Sequence, residues 1–263
     1  MDRSLCDRFD WVRPMNWSTQ EQFTQFYDEE AQVFIDLQME AEDGIRAQST
    51  HRLRIATRRL RVALWLLKDD FNGLKKHSKR LKKIGHRLGA ARELDVAIKD
   101  STAYGIDEKK LRKKRKKARR RVEKGLRSKK TRNLMKGLLR IEDRILASQD
   151  LHLEDALDAL YLKLSPQLHH PLESKEDFHQ FRIALKKLRY AFEALGQPVE
   201  PMKVVQDMLG QAHDLEVLWQ LSGSKRAHQD EAKMLEAVRV PIARLLQSIS
   251  RETLVTSEHS LLQ

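Results

Sequence analysis

His51, Arg54, Arg58 and Arg61 follow one another at steps of three, four and three residues, and His179, Arg182, Lys186 and Arg189 repeat that spacing. At about 100° per residue on a helix, each quartet falls within a sector of roughly 80°. Leu53, Ala56, Leu60, Ala63, Leu64 and Leu67 take the other side of the first one. Each segment therefore reads as a helix with a core face and a cationic stripe about three turns long. Neither quartet contains an Asp or Glu, and like charges in a row repel unless an anion neutralises them. The residue types suit phosphate. Arg offers a planar fork for two oxygens and keeps its charge. A His in the first turn donates to an oxygen and gains charge as pH falls, beside the free N–H groups of the helix start. Evenly spaced cations match a repeating phosphate polymer better than one phosphate. One His-x-x-Arg alone is weak evidence, because a His near a helix start is usually a cap or a surface residue.

The spacing occurs twice because the chain contains a repeat. Residues 51–64 align with 179–192 at an offset of 128, with seven of 14 pairs identical. Leu88-Gly89-Ala90-Ala91-Arg92-Glu93-Leu94-Asp95-Val96 aligns with Leu209-Gly210-Gln211-Ala212-His213-Asp214-Leu215-Glu216-Val217 at an offset of 121, with five of nine identical. Lys82 and Lys203 stand six residues before each Leu-Gly. Glu93, Asp95, Asp214 and Glu216 read as ion-pair partners for the cations rather than as acid–base catalysts. Gly89 and Gly210 read as points of close helix packing, and Trp65 and Trp219 as core.

Charge separates along the 263 residues, which carry 51 Lys+Arg against 38 Asp+Glu, a net +13. Residues 109–130 hold 15 Lys/Arg and one acid, Glu123, while residues 1–50 hold 11 acids and four Lys/Arg. The basic run has a thin apolar stripe, Leu111, Ala118, Val122 and Leu126, at helical period. It reads as a helix docked by that stripe, either simply solvated elsewhere or serving as a rail for a polyanion. It holds no aromatic platform for single-stranded nucleic acid. Only 10 Gly and 6 Pro, with much Leu, Lys, Arg and Glu, favour an all-α fold. A single cysteine, Cys6, excludes an internal disulfide framework and fits a reducing compartment. No apolar run reaches the ~18 residues of a membrane span, and the first residues lack a secretory pattern. These features lead to an expectation of a cytoplasmic protein with an anionic partner and no membrane association.

The pattern predicts an N-terminal extension over 1–18, a first half over 19–150 and a second over 151–263. Helices are expected at about 19–46, opened by a Ser18/Glu21 capping box, then at 51–68, 75–102 and 107–147. The second half repeats them at 152–165, 175–195, 200–222 and 227–256. Pro166 and Pro171 should bracket the loop before the repeated helix, with Ser174 and Asp177 as its cap. The expected architecture is two four-helix bundles related by a pseudo-twofold axis.

At HRLRIATRRLR with LGAARELDV, and again at HQFRIALKKLRY with LGQAHDLEV, the sequence resembles the CHAD family, the conserved histidine α-helical domain. The resemblance spans roughly residues 19–255. It implies paired four-helix bundles around a basic central groove, binding of inorganic polyphosphate and association with polyphosphate granules. Some members are fused to a triphosphate-tunnel domain, and this chain reads as a stand-alone one. Glu93 and His213 depart from the family pattern, which has Asp and Arg or Asn there.

The leading expectation is polyphosphate binding by His51, Arg54, Arg58, Arg61, Lys82, Arg92, His179, Arg182, Lys186, Arg189 and Lys203, with 109–130 extending the rail. Nucleic acid on the 109–130 helix is the second-ranked reading. A phosphatase or phosphotransferase using His51 or His179 as acceptor ranks last. The sequence offers no Cys nucleophile motif, no metal-ligand cluster and no phosphate-cradling loop, and neither cofactor nor metal is expected.

Overall fold

The computed structural model describes residues 18–41 and 44–260. Cys6, nearly all of the expected N-terminal extension, and Glu42 and Asp43 of the acidic segment lie outside them. Among the described residues ten α-helices follow one another: α1 (Thr19–Glu40), α2 (Ala47–Leu66), α3 (Leu74–Asp100), α4 (Glu108–Leu126), α5 (Lys129–Ala147), α6 (Leu153–Leu168), α7 (Lys175–Ala194), α8 (Glu200–Ser222), α9 (Lys225–Ala237) and α10 (Arg239–Ser260). A single 3-10 turn, Thr102–Tyr104, follows α3. The described residues contain no strand, and the fold is all-α as the composition predicts.

Local chemistry sets the helix starts. Ser18 with Glu21 and Ser174 with Asp177 both close full capping boxes. Several ends differ from the sequence reading. The first helix stops at Glu40 rather than near 46, because Gly44 has φ +114°, a left-handed backbone that breaks the helical path. The basic run is two helices: α4 ends at Leu126, and Ser128 caps α5 by accepting from the Thr131 N–H. The last predicted helix also divides, at Val238. Pro166 lies inside α6, in its last turn, and not at a loop edge.

One core runs through both halves of the chain. Phe23, Tyr27 and Phe34 of α1, Leu53 and Leu60 of α2, and Phe181, Leu185 and Leu188 of α7 belong to the same buried cluster. A smaller cluster joins Ala97 of α3, Leu111 of α4, Leu218 of α8 and Ala227 of α9. Arg59 crosses between helices inside this structure. It donates to Glu30 of α1 at 2.5 Å and pairs with Glu193 of α7 at 3.0 Å. Its guanidinium also lies over the Phe26 and Tyr190 rings. Asp95, almost wholly buried in α3, accepts from Arg119 at 2.8 Å and faces Arg115 at 3.7 Å. It thereby clips the basic α4 onto α3, while Leu111, Val122 and Leu126 bury the thin apolar stripe.

The two tryptophans part company. Trp65 packs on the core, whereas Trp219 is exposed and stacks on His228 with ring centroids 4.6 Å apart. Gly210 faces open space, and a Cβ there would meet nothing within 4 Å, so close packing does not explain it. Gly89 is buried, and a Cβ there would be 3.8 Å from Arg54 Nε. That is an ordinary contact distance, so close packing does not require glycine there either.

Candidate anion-binding site

α2 packs on α3 and α7, and α8 packs on α3 and α7. This arrangement brings equivalent positions of the two repeats together. Arg54 and Arg58 of α2 and Arg182 and Lys186 of α7 lie close enough to act on one another's charge, and Arg92 of α3 acts on His51 and Asp214 beside them. Glu93 of α3 and Asp214 of α8 sit among them. None of the five cations has a carboxylate oxygen within 4 Å among the described residues. Arg54 Nε is buried without a hydrogen-bond partner, as is Arg61 Nε. A buried donor left unmet costs free energy that an incoming acceptor would recover.

The electrostatics record the strain. Burial, followed by the neighbouring Arg58, lowers Arg54 to about 10. Burial and Arg58 do the same to Arg182, again to about 10. Lys186 falls well below the ordinary lysine range through burial and then through Arg182, Arg58 and Arg54. Burial, with Arg182 and Lys186 next in weight, lowers His213 to about 3. His51 lies in the second turn of α2, because the helix starts at Ala47 and not at 51, so the free N–H groups of the helix start are not beside it; it is lowered by burial and then by Arg92, Arg54 and Arg58. Burial raises Glu93 and Asp214 even though cations surround both. The site by itself thus disfavours charge of either sign, and its cations become fully charged most easily against an anion.

A pH dependence follows, with its sign fixed. His213 in the folded chain titrates below its unfolded value, so the unfolded chain binds the extra proton first. Stability should therefore fall as pH drops through the ordinary histidine range toward about 3. An anion reverses the shifts of His51, His213 and Lys186 and raises all three. Binding should take up protons, and affinity should decline as pH rises over roughly 6 to 8. Binding heats measured in buffers of different ionisation enthalpy would register the uptake, and heats independent of buffer would contradict it.

The other predicted residues divide. His179, half-buried on α7, places its ring 6.1 Å from that of His213, inside the cluster. Arg61 acts with Lys187 and Lys82 farther along α2, as an extension rather than part of the centre. Lys82 and Lys203 are both exposed. Arg189 does not join the cluster. It is buried, paired with Glu193, hydrogen-bonded from Nε to Gln206 at 2.7 Å and laid over the Tyr190 ring. Glu193 stands one turn beyond Arg189, outside the quartet, and supplies the acid that the stripe itself lacks. His213, Glu93 and Asp214 belong to the site by position, although the sequence reading did not name them among its binding residues.

An all-α fold that gathers a duplicated His/Arg motif at one cationic centre defines the class to which this chain is to be compared. The CHAD domain model matches residues 29–222, and the chain belongs to that family. The fold resembles the crystal structure of the CHAD domain from the plant Ricinus communis, with a TM-score of 0.65 at 22% identity, over 89% of this chain and 87% of that one. It also resembles PptA from Streptomyces chartreusis, with a TM-score of 0.64 at 15% identity, over 88% of this chain and all of the other. At such identities the likeness is one of fold. No curated protein matches the chain. Among the described residues no helix is long and apolar enough to cross a membrane.

Proposed function

We propose that the protein binds inorganic polyphosphate at the cluster formed by α2, α3, α7 and α8, as a binding module rather than an enzyme, in the cytoplasm and at polyphosphate granules. Membership of the CHAD domain family fits a polyphosphate-related function. The observation that carries the reading is the cluster of five cations without close carboxylate partners, drawn from both repeats. A chain of phosphates, one charge per unit, can meet several of them at once. A single phosphate would leave most of the repulsion in place. His51 and His179 fit the role of hydrogen-bond donors to phosphate at the ends of the stripes, not covalent acceptors, because among the described residues no activating base or phosphate-cradling loop accompanies them.

Nucleic acid remains the second reading because α4 exposes most of its cations. Two of them, Arg115 and Arg119, are already engaged by Asp95. Calorimetric titration with long-chain polyphosphate, and with a DNA duplex of equal charge at the same physiological salt, separates the two. Tight polyphosphate binding with much weaker duplex binding is expected. Equal affinity would reduce the protein to a general polyanion binder. Affinity should fall steeply with salt in either case, through release of counterions.

A further inference from the structure

The cluster at α2 and α7 does not use the other basic face of α3. From Phe71 to Arg92 the chain contains no Asp or Glu. Lys76, Arg80, Lys83 and Arg87 recur at steps of four, three and four, so they share one face of the helix. Arg80 lies about 180° around the α3 axis from Gly89, the position covered by Arg54. The two cationic surfaces therefore sit on opposite sides of α3. Opposite the Lys76–Arg87 stripe stand Arg121 and Lys124 of α4, and the space between is a cleft of about 720 Å³. A second cleft of about 460 Å³ continues from it toward Arg140 and Arg144 of α5, and the two share Lys76, Arg80 and Lys130. No carboxylate lines either cleft. None of their Lys or Arg residues forms an ion pair among the described residues, whereas Arg112, Arg115, Arg119 and Arg239 elsewhere do.

The repeat supplies an internal control. At the offset of 121, Lys76, Arg80, Lys83 and Arg87 correspond to Gln197, Pro201, Val204 and Met208. Pro201, Val204 and Met208 lie in α8, so the fold does not require cations at those three positions, and Gln197 precedes that helix. The central cluster is duplicated, and this cleft belongs to the first repeat alone. Two glycines shape its walls. A Cβ at Gly125 would overlap the Arg87 guanidinium, and one at Gly137 would overlap the His77 ring. Both approaches would be lost with any larger residue.

We propose that the α3/α4/α5 cleft is a second oligophosphate site, separate from the central cluster, which makes the protein bivalent for phosphate chains. The ligand class rests on the functional reading above; the location does not. Cations packed this densely in a cleft, with no aromatic residue lining it, match a compact run of phosphates better than single-stranded nucleic acid, which needs stacking platforms. A small polyphosphorylated metabolite offers the same chemistry as a short chain.

The test combines two variants with a positional probe. Arg80→Ala/Arg87→Ala/Lys124→Ala removes the cleft charge, and Arg54→Ala/Arg182→Ala removes the central one. Tripolyphosphate, long-chain polyphosphate and inositol hexakisphosphate serve as ligands in calorimetry, with amine-reactive labelling of Lys83 and Lys124 read by mass spectrometry. Wild type should show two classes of site and each variant one. Affinity at the missing class should fall roughly a hundredfold. Ligand should protect Lys83 and Lys124 in the wild type and in the central variant. Gly125→Ala keeps every charge but displaces Arg87, and it should weaken the cleft class alone. If only the cleft variant loses binding, the cleft stands and the central reading fails. Unchanged stoichiometry in the cleft variant, unprotected lysines, loss of protection in the central variant, or equal protection by a DNA duplex would each overturn the proposal. Preference for the inositol phosphate over the chains would assign the cleft to a soluble metabolite and overturn bivalency for chains.

Discussion

Replacing Arg54 and Arg182 together by Ala is expected to weaken polyphosphate binding by roughly 10² to 10⁴ and to leave the fold at least as stable. Each guanidinium can make charge-assisted hydrogen bonds to phosphate, at about 1.5–3 kcal/mol apiece, and the two contributions multiply in the binding constant. The stability side follows from the free protein. Both groups are pulled down to about 10 by burial and by Arg58, so the folded chain already opposes their charge. Removing them relieves that opposition. Titration calorimetry and thermal unfolding on one preparation would measure both effects. A variant that bound normally would sink the central assignment. A variant that lost binding because it had unfolded would show that the arginines support the core instead.

Arg59→Ala should behave in the opposite way, with a loss of stability of about 3–5 kcal/mol and little change in ligand affinity below the unfolding transition. Arg59 holds two largely buried carboxylates, Glu30 and Glu193, and its removal leaves Glu30 without its cation and Glu193 with Arg189 alone. In a chain of this length that loss corresponds to a midpoint roughly 10 °C lower. Burial already raises Glu30 above the ordinary carboxylate range despite Arg59. A group raised in this way contributes stability below its unfolded pKa and loses it as pH rises. The deficit of the variant should therefore shrink on acidification toward the carboxylate range. Urea unfolding at two pH values would test it, and a loss under 1 kcal/mol would remove the bridge from any account of stability.

The helical class and the position of the two stripes were legible because both rest on local periodicity. Arg54, Arg58, Arg182 and Lys186 meet as their shared helical faces imply. The fate of Arg189 was not legible from its stripe alone, although Glu193 stood one turn away as a signal. Arg59 sits about 120° around the helix from the stripe centre, and its partners come from α1 and α7, which no local pattern reveals. The division of the basic run was hidden because the cations continue across it, and the only mark was Ser128 as a cap. Pro241 offered the corresponding hint for α10, since proline is at home in the first turn of a helix. The α3 cleft lies largely outside the densest basic window, and its own sequence signature is a long interval without acids. Its concavity depends on how α3, α4 and α5 pack together.

The shared core has an implication for how such a chain could arise. Phe181 and Leu188 of the second repeat are buried in the same cluster as Leu53 and Leu60 of the first. A polypeptide carrying one repeat would turn those residues toward water, and its few helices could not close a core around them. It would be driven to associate with another copy of itself. One chain thus holds a core that a single repeat would need a second copy to close. The two copies nonetheless differ, and the acid-free face of α3 lies in the half whose counterpart carries none of those cations.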